Sequence, residues 1–312
     1  MPFFSVIIPM YNRATLVGRA IDSVLAQDFE DFEVVVVDDG STDDSAEAVR
    51  RYTDARVRLI LSDRNRGRCP ARNRGMEHAR GAWFIFLDSD DELTPGALRV
   101  IKARIDAAPA SLGSMRFMCV SDRGQLSPDP PHHGEVLDYD GYLRWSESTI
   151  RMTHYEALPC VKASTFPAAR YGDGHGDEGR YHMDVARLAG VQLLADVVRL
   201  YHDDAPQRVM HAKPERMLKY AADSAAEVDE TFRLHGDAMR TVVPDLYNLK
   251  LLEATTQHFL AGARFRAVRY ALRLLGRPRW WPRLFPVLTL GLIGPRAIAW
   301  GKTMRMKAQG FA

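Results

Sequence analysis

The sequence predicts an α/β protein: an open, doubly wound, mostly parallel sheet followed by a helical C-terminal region. Three observations carry that expectation. Apolar, β-rich runs alternate with helix-period segments through about the first hundred residues. The runs close on acids, Gly or Pro, as strands do when both faces are buried. From about residue 213 to 275 the apolar spacing is continuously helical. Alternation at this spacing calls for parallel strands joined by helical crossovers, whose ligands bind beyond the carboxyl ends of the strands.

In order, FSVIIPM is a first strand that ends in the region of Pro9 and Asn12. LVGRAIDSVLAQ is a helix with Leu16, Ala20, Val24 and Leu25 on one face, and FEVVVVDDG is a second, fully buried strand. STDDSAEAVRRYT opens a second helix with Ser41 or Thr42 as its N-cap. VRLILS, CPARNRGMEHAR and AWFIFLD supply a third strand, a third helix and a fourth strand. Between about 110 and 205 the pattern weakens. PDPPHHGEV and GDGHGDEG read as loops, HMDVARLAG as a short helix ending at Gly190, and VQLLADVVRLYH as a strand or strand pair. The expected organisation is a ligand-binding half over 1–105, a second half over 106–212, a helical extension over 213–275 and a basic amphipathic tail over 276–312.

The composition is that of a globular chain, 46% hydrophobic and 26% charged, and excludes disorder. Its net charge of +2 hides an asymmetry. No acid follows Glu253, whereas eleven Lys and Arg do; removing those eleven from +2 leaves about −9 on residues 1–253. A basic tail calls for an anionic partner, a membrane surface or nucleic acid. The widely spaced Cys69, Cys119 and Cys160 read as reduced thiols. MPFFSVIIPMYNR lacks the basic start of a signal peptide. The uncharged stretch 284–295 is too short to span a bilayer, which takes roughly 20 apolar residues.

WFIFLDSDDE drives a buried strand into four acids. Close carboxylates repel unless a cation or water shields them. Asp88 and Asp90 therefore suit a divalent ion with oxygen ligands, Mg²⁺ or Mn²⁺. The plainer reading, acids capping a helix that starts near Leu93-Thr94-Pro95, suits Asp91 and Glu92.

Four segments, SVIIPMYNR, VVVVDDGSTDDS, NRGRCPARNRG and FIFLDSDDEL, in this order and spacing resemble the family 2 glycosyltransferases of bacterial envelope and polysaccharide synthesis. These are inverting enzymes of the GT-A fold that use nucleotide sugars. The resemblance implies a site of Pro9, Tyr11, Asn12, Asp38, Asp39, Arg72 and Asp88 for the nucleotide, with Asp39 on a uracil-like base and Asp38 the weaker candidate. It makes Asp90 the more direct metal ligand, places Asp88 toward ribose or metal, and matches Arg72 to the family's Ala-Arg-Asn-x-Gly. Arg68 and Arg74 are alternatively surface charge, Tyr11 core packing, and Ser41, Thr42 and Asp43 a solvated turn.

Inversion needs a general base to take the acceptor hydroxyl's proton. The family's acid pair appears here reversed, as Asp177-Glu178, with Asp184 on the following helix as the alternative base. His202 is a further metal-ligand candidate, or a structural histidine. Trp280 and Trp281 among arginines and apolar residues suit a tail lying in a membrane interface. A packed helix is the alternative, and nucleic acid lacks any supporting motif. The expected partners are a nucleotide sugar of the UDP-sugar type, a saccharide or lipid-linked acceptor, and the inner face of the cell membrane, with the catalytic body cytoplasmic. A nucleotide-sugar-binding scaffold without turnover is the competing reading. Nucleotidyltransfer fits less well, since PMYNRAT lacks a glycine-rich phosphate loop.

Overall fold

A computed structural model describes residues 1–128, 134–149, 156–173, 178–202 and 214–308. The chain divides into two units, Met1–Gly172 with Glu178–Ala205, and Asp173–Asp177 with Pro206–Ala312. The first unit opens with β1 (Phe4–Met10), α1 (Val17–Leu25), β2 (Phe32–Asp38), α2 (Ser45–Arg50), β3 (Val57–Leu61), α3 (Arg68–His78) and β4 (Trp83–Phe86). It continues through β5 (Glu92–Leu93), α4 (Ala97–Ala107), β6 (Leu112–Ser121), β7 (Leu126–Ser127), β8 (Val136–Leu137), α5 (Tyr139–Thr149), β9 (Ala157–Lys162), α6 (Gly179–Leu188) and β10 (Gly190–Tyr201).

These strands form one mixed sheet in the order β3-β2-β1-β4-β9-β6-β10-β5, with β7 beside β6 and β8 beside β10. The first four in that order are mutually parallel. β9 then runs antiparallel to both β4 and β6, and β10 returns parallel to β6. Side chains alternate across each strand. Val6, Ile8, Val34, Val36 and Ile85 pack with Ile21 and Val24 of α1 and Leu98 and Ile101 of α4. Ile7, Val35, Val37, Phe84 and Phe86 pack on the other face with Met76 of α3 and Tyr181 and Val185 of α6. Each such side chain, fully buried, contributes about 1.5–3 kcal/mol, which is why the runs are apolar without alternation.

The β1–β4 register ends at Ile7↔Phe86, so Pro9, lacking an N–H, removes no bond on that side. α3 lies close on the sheet: a Cβ on Gly75 would come within 2.3 Å of the Ile7 side chain. Gly40, at φ 73°, turns the chain past β2 where a Cβ would strike the Arg64 backbone.

Several local expectations are corrected. α2 starts at Ser45, not after Ser41 or Thr42, because the Ser41 Oγ and the Thr42 N–H are committed to Asn12. Asp91 and Glu92 cap no helix; Glu92 enters β5, and α4 starts at Ala97 behind Gly96. α6 ends at Leu188, and Gly190 opens a single long β10. β6, β9 and α5 had no clear sequence signal: LGSMRFMCVS is buried along its length despite two serines and an arginine.

The second unit contains α7 (Pro214–Lys219), α8 (Ala221–Val242), α9 (Pro244–Leu260), α10 (Arg264–Leu275), α11 (Trp281–Ile293) and α12 (Pro295–Ala308). Pro244 supplies the pre-set φ of a first helical turn. Ala221, Phe259, Leu260, Ala267, Ile298 and Ala299 form one cluster of its core, and Gly291 lies against the Phe259 ring. The Asp229 carboxylate accepts from Tyr270 at 2.6 Å and His258 at 2.9 Å, which ties α8, α9 and α10 together. Among the described residues no helix is long and apolar enough to cross a membrane.

Gly75→Val forces a branched side chain into the α3–β1 contact. It is expected to cost about 1–3 kcal/mol by overpacking, read as a lowered urea midpoint; an unchanged midpoint would show that Ile7 yields freely.

Candidate functional site

The carboxyl ends of β1, β2 and β4 and the start of α3 come together through backbone-level ties. Met10 and Asp38 are partners in the β1–β2 register, and the Asp39 N–H donates to the Met10 carbonyl at 2.9 Å. Asn12, left-handed at φ 52°, receives the Thr42 N–H on its side-chain oxygen and donates its own N–H to Ser41 Oγ, both at 2.9 Å. Tyr11 beside it is 36% exposed, so it is not core packing. Asp38 Oδ1 accepts from the Ser41 N–H at 2.9 Å, closing the turn after β2.

Asp39 is buried, and its carboxylate accepts from the backbone N–H groups of Arg66, at 3.0 Å, and Gly67, at 2.6 Å. Burial raises its proton affinity, Asp38 adds to that, and the two N–H donors oppose it. Gly67, at φ 104°, presents that N–H immediately before α3.

Arg72 on α3 is the hub. It is 4% exposed, and its guanidinium faces the Phe86 and Tyr171 rings at 5.7 and 5.5 Å. Nη2 donates to Asp88 Oδ1 at 2.9 Å, and Nη1 lies 2.6 Å from Glu178 Oε2. Arg68, one turn earlier, holds the other Glu178 oxygen at 2.5 Å. Asn73 secures the neighbourhood by exchanging two 2.9 Å hydrogen bonds with the Tyr171 backbone.

These charges set the protonation states. Burial opposes ionisation of Glu178, but Arg68 and Arg72 outweigh it and hold its carboxyl at about 2. Asp88 is likewise lowered: burial raises it, and Arg72, Arg68 and Arg199 more than offset that. Asp90, two residues after Asp88, is raised by burial and by the Asp88 charge; Arg13 is 3.8 Å away. Asp91 is pushed up to about 8, mainly by burial, although Arg199 lies 3.2 Å from it.

The remaining sequence candidates separate from this cluster. Asp184 is 3% exposed and paired with Arg180 at 2.7 Å and Arg187 at 3.7 Å. His202 donates its N–H to Asp91, meets Glu92 at 2.7 Å through Nε2, and has Asp122 at 3.9 Å from Nδ1. Asp177 lies outside the described residues. Among the described residues no group of three or more His, Cys, Asp or Glu is arranged to enclose a metal. Asp88 and Asp90, carboxylates 26% and 22% exposed, are of the ligand type that a divalent ion combines with phosphate oxygens, and burial and the Asp88 charge raise Asp90.

Sequence reading passed over Arg13, Tyr171 and Arg199, and took Arg68 for possible surface charge. Arg68 stands four residues before Arg72, on the same helical face, and that spacing could have joined the two. Tyr171 and Arg199 are separated from the site motifs by long stretches of chain and carried no signal.

The glycosyl transferase family 2 model matches residues 5–156, the span that contains β1 through β4 and the acid cluster. This chain carries a family 2 glycosyltransferase domain. It is 47% identical over 125 residues to the succinoglycan biosynthesis protein ExoO of Rhizobium meliloti, covering 40% of this chain and 36% of that protein. It is 40% identical over 176 residues to the GalNAc(5)-diNAcBac-PP-undecaprenol beta-1,3-glucosyltransferase of Campylobacter jejuni, covering 55% and 56%. The match thus spans less than two thirds of either relative. The crystal structure of S. aureus TarS 1-349 in complex with UDP-GlcNAc shares the fold, with a TM-score of 0.59 and 20% identity over 99% of this chain and 92% of that one. The expected GT-A fold is the fold observed.

Glu178→Gln removes the acid from the arginine pair. Because the folded-state value of about 2 lies below the ordinary 4.5, Glu178 stabilises the fold fully above 4.5 and loses that contribution as pH falls toward 2. Urea midpoints measured against pH should therefore fall more steeply through that window for wild type than for the variant; parallel curves would refute the pairing.

Proposed function

We propose that the chain is a metal-dependent inverting glycosyltransferase that moves a sugar from a uridine-diphosphate sugar to a hydroxyl of a saccharide or lipid-linked acceptor in envelope or exopolysaccharide synthesis. The observation that carries this reading is the buried Arg72, held between Asp88 and Glu178 beside the acid pair Asp88 and Asp90. The family 2 domain supports the reaction class. The functions of the relatives, succinoglycan biosynthesis and glucosyl transfer to an undecaprenol-linked glycan, support the acceptor class. UDP-GlcNAc in the TarS structure supports the nucleotide.

In this reading Asp39 accepts from the base, and the exposed Tyr11 covers its ring. Asn12 and Asp38 hold the two loops that frame it, and Pro9 ends the strand beneath. Asp88 and Asp90 would hold Mg²⁺ or Mn²⁺, which stabilises the charge growing on the departing diphosphate. Arg68 and Arg72 take the phosphates, for which a planar guanidinium is well matched. A diphosphate on those two arginines displaces Glu178 and frees it from the charges that suppress its basicity. Glu178, or Asp177 next to it, then takes the proton from the acceptor hydroxyl as that oxygen attacks opposite the leaving group. Asp184 is spent on Arg180 and Arg187, and His202 on Glu92 and Asp91, so both serve as supports. The acidic body and acid-free basic tail support a peripheral place on the inner membrane face.

The competing scaffold reading draws on the same ion pairs, which occupy both Glu178 and Asp184. It is separated by turnover: Glu178→Gln should lower acceptor-dependent UDP release by about 10²–10⁴-fold while leaving UDP binding intact. A wild type that binds UDP and never releases it from a sugar, over a panel of acceptors, would favour the scaffold.

Binding itself is tested by calorimetry of UDP, GDP and dTDP with Mn²⁺ and with chelator, on wild type and Asp90→Asn. UDP should bind with metal and weaken at least about tenfold on chelation or substitution. No nucleotide binding in the presence of metal would overturn the proposal.

A further inference from the structure

α10 buries Ala267, Ala271 and Leu274 in the helical unit. The adjoining face of the helix presents Phe265, Val268, Leu272 and Leu275, exposed by 95, 43, 58 and 41%. Their spacing places them on one helical stripe. The stripe does not stop at the helix end. The Trp281 indole N–H donates to the Leu275 carbonyl at 2.9 Å, and the Trp281 ring lies 5.7 Å from that of Phe285. Trp281 and Phe285 are themselves 39% and 48% exposed. A run of this size is rarely left in water without a partner.

Charge selects the partner. Arg264, Arg269 and Arg273 on α10 and Arg283 on α11 are exposed around the stripe, and no acid follows Glu253 in the chain. A second copy would set arginine-rich helices against each other, whereas lipid phosphates would neutralise them. A Trp at one end with arginines alongside is the composition of a helix in the headgroup boundary. We propose that Phe265, Val268, Leu272 and Leu275, continued by Trp281 and Phe285, form a docking surface for an anionic lipid bilayer. This deepens the membrane-surface part of the function proposed above and rests on it. It also extends the contact upstream, onto α10, from the 276–312 tail that the sequence suggested, in which Leu284, Gly291, Ile298 and Ala299 are buried.

The test is co-sedimentation of the full chain with vesicles of phosphatidylglycerol and phosphatidylcholine, and of phosphatidylcholine alone. Wild type should bind the anionic vesicles preferentially and be released by salt. Phe265→Asp combined with Leu272→Asp, both at exposed positions, should reduce partitioning roughly tenfold or more. Arg269→Gln with Arg273→Gln should erase most of the preference for anionic lipid. Circular dichroism and thermal melting show whether each variant is folded. Wild type that ignores anionic vesicles, or a folded Asp variant that binds like wild type, overturns the proposal. So does light scattering that finds a dimer broken by the Asp pair without lipid binding, which would assign the stripe to a second copy. UDP titration of the same preparations keeps the two readings apart. Intact UDP binding with no vesicle binding sinks only the surface, and vesicle binding without UDP binding sinks only the transferase.

Discussion

The site depends on one buried cation. Arg72 sits in the interior on α3, and a guanidinium taken out of water costs several kcal/mol unless its partners are well placed. Here they come from three directions: Asp88 beyond β4, Glu178 ahead of α6, and the Phe86 and Tyr171 rings. Removing any one carboxylate leaves charge uncompensated, so α3, β4 and α6 are bound to a common geometry. The same pairing keeps Glu178 and Asp88 ionised in surroundings that would otherwise protonate them.

Around this hub the strand ends are built largely from side chains that serve backbone groups. Asp39 caps the approach to α3 through Arg66 and Gly67, Asp38 closes its own turn through Ser41, and Asn12 bridges to Thr42. Polar residues at a sheet's carboxyl edge thus do two jobs. They satisfy the donors that turning the chain exposes, and they line the region where a doubly wound sheet receives ligands. Asp90 is the exception, with its carboxyl raised by burial and by Asp88 against the opposing charges of Arg13 and Arg19.

The helical unit follows a different logic. One of its core clusters sets Phe259 against Gly291 beside Ala221, Ala267 and Ala299, while Met239, Tyr247, Leu251, Leu274 and Trp280 are buried as well, and Asp229 gathers Tyr270, His258 and Arg266. Apolar groups of the same kinds, Phe265, Leu272 and Leu292 among them, stay outside. Burial in this unit is therefore decided by helix face, not by hydrophobicity alone.

What the sequence determined by itself was local and repetitive. FSVIIPM, FEVVVVDDG and WFIFLD are legible because strands buried on both faces need uninterrupted apolar runs, and the acids after them are legible because nothing apolar explains them. The family resemblance added roles for Asp39, Arg72, Asp88 and Asp90 that periodicity could not supply. Tertiary structure alone decided the rest. β6 and β9 carry serine, cysteine, proline and arginine, and they become strands because β4 and β10 offer edges to pair with. Ser41 and Thr42 read as helix caps, yet their hydrogen-bonding groups go to Asn12, some thirty residues earlier in the chain. Glu178 and Asp184 look interchangeable in a line of sequence. One faces Arg68 and Arg72 from another element, and the other turns into its own helix toward Arg180. Charge pairing between distant segments leaves no periodic trace, so only the folded chain could tell them apart.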